Sequence, residues 1–344
     1  MNNLNPLGLK PLRITDRPLI DRFLSSEETM LSAYAFVSHY IWSDLFHFHW
    51  GILDDYLCLF AQYNDYLYMP IPPIFAKNPC DRVNKLRLST ESNPPLDQIP
   101  PCPPFLKGGN SVSPFEKGGL RGILFKVFSL MQATNKNKTI SRIENIDAAH
   151  TEAFISIGYD VTPGEGEYVY LREDLANLKG DSYKSKRALC NHFMKNYTYS
   201  YEPFQARFAE DCVQLYDLWQ KRKKTKVHDS FSTALSEDAS LAHHQAIMQY
   251  EALQLAGRVV RIHNRVEGYL FGFKRGGDTF CILLEITNPA IRGLAQFIFR
   301  EFCREMGGYT YINALGDSGL ENLRRVKRSY RPCTIVPSYI ACLP

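Results

Sequence analysis

Arg324, Lys327, Arg328 and Arg331 recur at spacings of three and four, so a helix through them carries one cationic stripe beside Leu320, Leu323, Val326 and Tyr330. Such a stripe can hold phosphate, with Arg324 making a bidentate guanidinium contact and Lys327 acting as a point charge beside it. Asp317 stands just ahead of the stripe, where a carboxylate can carry a proton or simply favour the positive end of a helix. A structural role stays open beside each chemical one. Ser318-Gly-Leu-Glu321 has the spacing of a capping box, and a basic helix face can be no more than a solvated one.

A second run of cations, Lys184, Lys186, Arg187 and Lys195, lies between Ser182 and Ser200 with no acid among them. Lys221, Arg222, Lys223, Lys224 and Lys226 follow at an expected helix end, where cations suit the dipole. The whole chain carries only +4, yet local patches of this kind attract anionic partners, and phosphate-bearing substrates fit them best. His243 and His244 are adjacent on an expected helix and diverge by about 100°, which speaks against a metal site. His263 is either a proton carrier or a hydrogen-bonded structural residue. The nine cysteines form no CxxC pair and no His sits at ligand spacing, so reduced core thiols are expected rather than zinc or disulfides.

The elements that must position these groups are read from periodicity. A chain of 344 residues with 45% apolar and 13% aromatic residues suits two cores of about 150 residues each. No apolar run approaches the ~18 residues of a membrane span and the first ten residues lack signal-peptide character, which implies a soluble cytoplasmic protein. In the phrase Pro104-Phe-Leu-Lys-Gly-Gly109, repeated as Pro114-Phe-Glu-Lys-Gly-Gly119, Pro and Gly disfavour helix and ladder alike. Residues 94–122 are therefore expected to be an unstructured insert resembling short repeats that invade bacterial genomes, with a proline-motif docking site as the alternative.

Before the insert, Pro18 to Leu24 and Ser32 to Leu45 look helical, and Tyr56 to Phe60 with Tyr66 to Pro70 form a hairpin around Asn64-Asp65. After it come a helix near Phe125 to Thr134, a strand Ser141 to Ile146, and a strand pair near Phe154 and Tyr168 to Leu171. A helix bearing Phe208, Cys212, Leu215 and Trp219 and another over Asp238 to Tyr250 lead into strands Val259 to His263, Tyr269 to Phe273 and Phe280 to Ile286. A helix Ile291 to Met306, a strand Tyr309 to Leu315, a helix Gly319 to Tyr330 and a last strand Thr334 to Cys342 complete the order. Periodicity gives a mixed α/β protein; the divisions are 1–170 with the insert, a basic bridging segment 171–200, and 201–344.

The order of elements in the second half resembles that of an acetyltransferase-like (GNAT) domain. The closing run Asp317-Ser-Gly319-Leu-Glu321-Asn-Leu323-Arg324-Arg-Val-Lys327-Arg-Ser329-Tyr330-Arg-Pro332 resembles the last motif of the bacterial phosphatidylglycerol lysyltransferase C-terminal family. A second matching stretch is Tyr170-Leu-Arg-Glu-Asp-Leu-Ala-Asn-Leu-Lys-Gly180 with Tyr183-Lys-Ser-Lys-Arg187, Asn191-His-Phe193 and Tyr201-Glu-Pro-Phe204. The resemblance implies two tandem GNAT-like acyltransferase domains, related to Fem-like aminoacyltransferases. It also implies transfer of an aminoacyl group from aminoacyl-tRNA to a lipid or other envelope-related acceptor. It makes Asp317, Arg324 and Lys327 the catalytic candidates, and Lys184, Lys186, Arg187, Arg292, Gly293, Ser329 and Tyr330 the substrate-binding ones. An anionic lipid headgroup and peripheral membrane contact belong to the same expectation.

Two other readings compete. In acetyl-CoA-dependent N-acyltransferases, an Arg/Gln-x-x-Gly-x-Gly/Ala loop holds the pyrophosphate on backbone amides. Gly293 and Ala295 fit that loop, but Ala290 stands where its Arg or Gln belongs, with Arg292 as a substitute cation. CoA is thus an incomplete fit, and no cofactor or metal is expected. The other reading is a non-catalytic protein that binds tRNA or anionic lipid through the same surfaces.

Overall fold

A computed structural model describes residues 7–77, 119–224 and 230–344. In the first half, β1 (Lys10–Pro11), β2 (His47–Leu53), β3 (Tyr56–Tyr63), β4 (Tyr66–Tyr68) and β5 (Ile74–Phe75) form one sheet, with β5 attached to β3. Its hairpins turn at Asp54 and Asp55, with φ of 49° and 66°, and at Asn64, with φ of 53°; Asn and Asp tolerate that left-handed backbone best. A parallel bridge from Met69 to Ile143 continues this sheet into β6 (Arg142–Asp147). The helix Gly119–Thr134 makes the crossover and buries Ile123, Leu124, Val127, Phe128 and Met131.

The second half is a seven-stranded sheet. Its strands are β8 (Glu167–Leu171), β9 (Tyr199–Pro203), β10 (Ala256–Ile262), β11 (Arg265–Gly276), β12 (Thr279–Thr287), β13 (Tyr311–Asn313) and β14 (Thr334–Val336), in the order β14-β8-β13-β12-β11-β10-β9. β12 and β13 are parallel neighbours, joined by the helix Leu294–Glu305, which buries Phe297, Ile298 and Phe302 against the sheet. They pair only over Thr279–Cys281 and Tyr311–Asn313 and then part, leaving one side of β12 open. Beyond that point, Ala314 and Leu315 bond to Tyr168 of β8 instead.

The two halves exchange strands. β8 precedes the rest of the second sheet in sequence, yet it lies between β13 and β14. β15 (Ser338–Cys342), at the end of the chain, returns to lie between β6 and β7 (Asp160–Pro163) of the first half. The result is two tandem GNAT-like units of mixed α/β structure, each completed by a strand from the other. One core passes between them: Phe23, Trp50 and Leu57 share a cluster with Cys212, Tyr269 and Phe271. The division expected at 170 falls inside β8, and the segment 171–200 holds the helices Arg172–Asn177 and Lys184–Asn196.

Several elements differ from their sequence reading. Residues 94–118 of the insert lie outside the described residues, while residues 119–122 form the first turn of a helix. Phe154 belongs to a helix, Thr151–Ile157, rather than a strand, because it is the one buried position of a short amphipathic segment ended by Gly158 at φ 104°. The long helix expected over 32–45 is a 3₁₀ turn, Ser32–Tyr34, and a short helix, Phe36–Tyr40, separated by extended Ala35. Ser32 is held at the start of the 3₁₀ turn by Glu167, which accepts from its backbone N at 2.8 Å and its Oγ at 2.6 Å. The last strand is two, β14 and β15, in different sheets, because Pro337 has no N–H to give a ladder. Among the described residues, no helix is long and apolar enough to cross a membrane.

Candidate functional site

The helix Glu321–Arg328 is held against β8 and its neighbours by three tyrosine hydroxyls. Tyr168 donates to Asp317 Oδ2 at 2.7 Å, Tyr170 to the Lys327 carbonyl at 2.9 Å and Tyr183 to the Tyr330 carbonyl at 2.9 Å. Tyr168 and Tyr170 lie two apart on one strand, so they share a face and reach the helix together. The turn that starts the helix is left-handed at Ser318 (φ 52°) and Gly319 (φ 69°), and Gly319 N donates to Asp317 Oδ1 at 3.0 Å. The expected capping box does not form, since Leu320 is the N-cap and Ser318 N donates to Glu165 Oε1. Gly316 makes room for Glu165, whose carboxylate occupies the space a Cβ would need.

Arg324 turns to this acidic turn. Its Nε donates to Asp317 Oδ2 at 3.0 Å and its Nη2 to Oδ1 at 3.4 Å, while Nη1 reaches Glu321 Oε2 at 3.4 Å. The hydrogen bond from Arg324, aided by those from Tyr168 and Gly319, holds the Asp317 carboxyl below the usual carboxylate range. The guanidinium fork is therefore filled by Asp317.

Lys327 points inward to the place where β12 and β13 part. Its Nζ donates to the carbonyls of Ala314 and Leu315, the latter at 3.2 Å, and lies 5.8 Å from the centre of the Tyr168 ring. An ammonium has three donors, so one is left. Desolvation brings Lys327 down to about 8, against the opposing pull of Glu165, Glu167, Asp317 and Glu285.

Glu285 lies on the open side of β12 and is aimed by a bulge. Gly272 pairs with Ile282 and Phe271 with Leu284, so Leu283 is the extra residue. Phe280 and Ile282 pack under the helix Leu294–Glu305, whereas Cys281 and Ile286 pack on the opposite face. The added residue moves position 285, rather than 284, to the helix side, within electrostatic reach of Lys327, Cys303 and Tyr330. Burial pushes the Glu285 carboxyl up to about 8, with Lys327 pulling the other way, and no described residue donates a hydrogen bond to it. Glu167 stands nearby, raised by burial and held by Ser32 and by Asn313 Nδ2 at 2.5 Å. The centre thus combines an amine and a carboxyl that both titrate near neutrality, the usual condition for proton transfer.

The other candidates are spread around this centre. Lys186 lies 4.2 Å from the centre of the Tyr330 ring, on the flank of the same helix. Ser329 closes the helix by donating to Val326 O at 2.6 Å. Arg187 is tied to the carbonyls of Leu178 and Gly180, while Lys184 and Arg292 are exposed. Gly293, at φ 87°, touches the backbone of the helix Lys184–Asn196; a Cβ there would be 2.1 Å from Leu189 O. The close approach fixes the start of the helix Leu294–Glu305 against the helix Lys184–Asn196. His243 is buried and shares a hydrogen bond of 2.8 Å with the Tyr269 hydroxyl, which gives it a structural place.

Glu165, Glu167 and Glu285 escaped the sequence reading. A signal existed for Glu285, the only charged residue in the otherwise apolar run Phe280–Ile286. Glu165 lies in the turn before β8 and Glu167 at its start, and only the placement of β8 inside the second sheet brings them within electrostatic reach of Lys327.

Residues 128–342 match the family described as Phosphatidylglycerol lysyltransferase, C-terminal. Comparison with curated proteins gives no match. A conserved protein of unknown function from Bacteroides thetaiotaomicron is similar in structure, with 22% identity, a TM-score of 0.77, and coverage of 98% of this chain and 100% of that one. The C-terminal domain of a putative lysylphosphatidylglycerol synthetase from Agrobacterium fabrum is 10% identical, with a TM-score of 0.57 and coverage of 95% and 92%. L-PGS from Bacillus licheniformis is 16% identical, with the same TM-score of 0.57 and coverage of 95% and 92%. The likeness to these structures is one of fold.

Proposed function

The chain belongs to the phosphatidylglycerol lysyltransferase C-terminal family, and from that premise we propose that it is an aminoacyltransferase, moving an aminoacyl group from aminoacyl-tRNA to a lipid or other envelope-related acceptor. The observation that carries this reading is the juxtaposition of Glu285 and Lys327 at the parting of β12 and β13. Glu285 takes the proton of the acceptor nucleophile as its oxygen or nitrogen attacks the ester carbonyl. The remaining N–H of Lys327 stabilises the oxyanion that forms. Collapse of that intermediate breaks the ester bond, and the departing ribose oxygen takes the proton back from Glu285. Asp317 and Arg324 act one step away, fixing the turn that aims Lys327. Lys184 and Lys186 extend the cationic surface toward the phosphates of the donor.

The test is transfer of radiolabelled aminoacyl groups from charged tRNA to anionic-lipid vesicles or soluble amine acceptors, with wild type, Glu285→Gln and Lys327→Ala in parallel. Transfer by wild type and a loss of on the order of a hundredfold or more in each variant are expected. Salt-sensitive tRNA or lipid binding with no transfer to any acceptor would instead establish the non-catalytic reading.

A further inference from the structure

Away from Lys327, a cavity of about 350 Å³ opens between the helix Arg17–Leu24, the turn 34–37 and the end of β11. That volume is within the range of small-molecule sites. Among the described residues that line it are four cations, Arg17, Arg22, Lys274 and Arg275, and one carboxylate, Asp21; Arg22 is engaged elsewhere. Asp21 is itself occupied by Arg17 Nε at 2.9 Å.

Arg275 is the unusual member. It is only 5% exposed, and it donates Nε to Leu31 O at 2.9 Å and Nη2 to Glu27 O at 3.0 Å. Its Nη1 makes no hydrogen bond to another described residue, and no described carboxylate forms a salt bridge with it. Glu27 and Glu167 lie within electrostatic reach of this guanidinium, but neither carboxylate bonds to it, so its Nη1 donor is left for a further acceptor. Lys274, exposed at the rim, adds a second charge without a carboxylate partner among the described residues. The remaining wall is apolar, with Leu24, Phe36 and Val37.

We propose that this cavity binds a phosphorylated organic molecule, with the phosphoryl group on Arg275 and Lys274 and the carbon body against Leu24, Phe36 and Val37. The Nη1 donor of Arg275 and the Lys274 ammonium offer charge-assisted hydrogen bonds to phosphoryl oxygens, and the apolar wall distinguishes an organic phosphate from the free ion. The site is separate from the transferase centre: neither Glu285 nor Lys327 lines it. It holds whether or not that centre transfers an aminoacyl group.

Titration calorimetry of the full chain with phenyl phosphate, inorganic phosphate and phenol tests the assignment. Phenyl phosphate is expected to bind at least tenfold more tightly than either of the others. Lys274→Glu, a charge reversal at the exposed rim, and Ser25→Trp, which fills the mouth from an exposed position, are each expected to weaken it tenfold or more with unchanged melting temperature. Lys327→Ala is expected to leave it within about twofold, since that residue lies elsewhere. Absence of phenyl phosphate binding at millimolar concentration overturns the proposal, as does equal affinity in wild type and both rim variants. Inorganic phosphate binding as tightly as phenyl phosphate overturns the organic assignment, and loss of binding in Lys327→Ala alone moves the ligand to the other site.

Discussion

Arg324 meets Asp317 through two donors, Nε to Oδ2 at 3.0 Å and Nη2 to Oδ1 at 3.4 Å, while the Tyr168 hydroxyl reaches the same carboxylate from the sheet at 2.7 Å. This ion pair fixes the start of the helix, and three residues later the helix delivers Lys327 to the carbonyls of Ala314 and Leu315. A stripe that looks uniform in sequence is thereby divided. Arg324 is held by the acidic turn, and Lys327 reaches the carbonyls of Ala314 and Leu315.

Arg324→Lys keeps the charge but replaces a planar fork with a single ammonium. Its expected effect is a fall in kcat of roughly tenfold with KM within about twofold, because the loss acts through the aim of Lys327. Steady-state transfer assays decide this. A raised KM for the tRNA donor at unchanged kcat would show that Arg324 touches the donor directly.

Glu285 gives a pH-dependent stability whose sign follows from its raised pKa. With a folded value of about 8 and an ordinary value near 4.5, the folded state binds the extra proton between them, so this contribution is present below about 4.5 and is lost as pH rises through 8. Lys327, lowered from 10.5 to about 8, acts in the next window: the unfolded chain binds the extra proton, and stability recovers between about 8 and 10.5. Melting curves of wild type and Glu285→Gln at a series of pH values are expected to diverge from pH 5 to 8, the variant becoming relatively more stable. Parallel curves through that range would remove Glu285 from the set of shifted groups.

The same two groups shape the expected rate profile. Base action by Glu285 needs its ionised form and oxyanion stabilisation by Lys327 needs its charged form, so transfer is expected to follow a bell with both limbs near pH 8. After correction for spontaneous ester hydrolysis, Lys327→Arg is expected to move the alkaline limb upward. An alkaline limb that stays in place would assign it to another group.

Asn313 joins three segments. Its Nδ2 donates to Met30 O at 2.8 Å and to Glu167 Oε2 at 2.5 Å, and its Oδ1 accepts from Leu315 N at 2.7 Å. Asn313→Ala leaves buried partners unsatisfied and is expected to cost about 3 kcal/mol in urea unfolding. A loss under 1 kcal/mol would mean that water replaces the side chain without penalty.

Gly293 and Gly158 separate strain from crowding. Both are left-handed, at φ 87° and 104°, but a Cβ at 158 meets nothing within 4 Å whereas one at 293 would be 2.1 Å from Leu189 O. Gly158→Ala is expected to cost about 1 kcal/mol and Gly293→Ala at least about 3 kcal/mol, by loss of the helix contact as well as strain. Similar losses at the two positions would contradict the close approach of the helix Lys184–Asn196.

Local pattern was enough for β10, β11 and β12 and for the helices Ala209–Lys224 and Leu294–Glu305, since each rests on the spacing of side chains within one segment. For the last helix it reached only as far as Arg328: Arg331 lies beyond the helix end at φ 54°, and Val326 of the expected apolar face is exposed. Elsewhere local pattern was misleading. It failed at Phe154, where one buried ring in a short helix mimics a strand, and at Ser32, whose conformation is set by a carboxylate 135 residues away. The family motif led to Asp317, Arg324 and Lys327, yet not to what surrounds them.

What only the tertiary structure decided is the carboxylate side of the centre. Glu285 reaches Lys327 because the pairing of β12 with β11 inserts Leu283 as a bulge, and Glu165 and Glu167 reach it because β8 crosses into the other half's sheet. Register and strand exchange are agreements between distant segments, chosen by the free energy of the assembled sheets. Side-chain periodicity within a segment does not encode them.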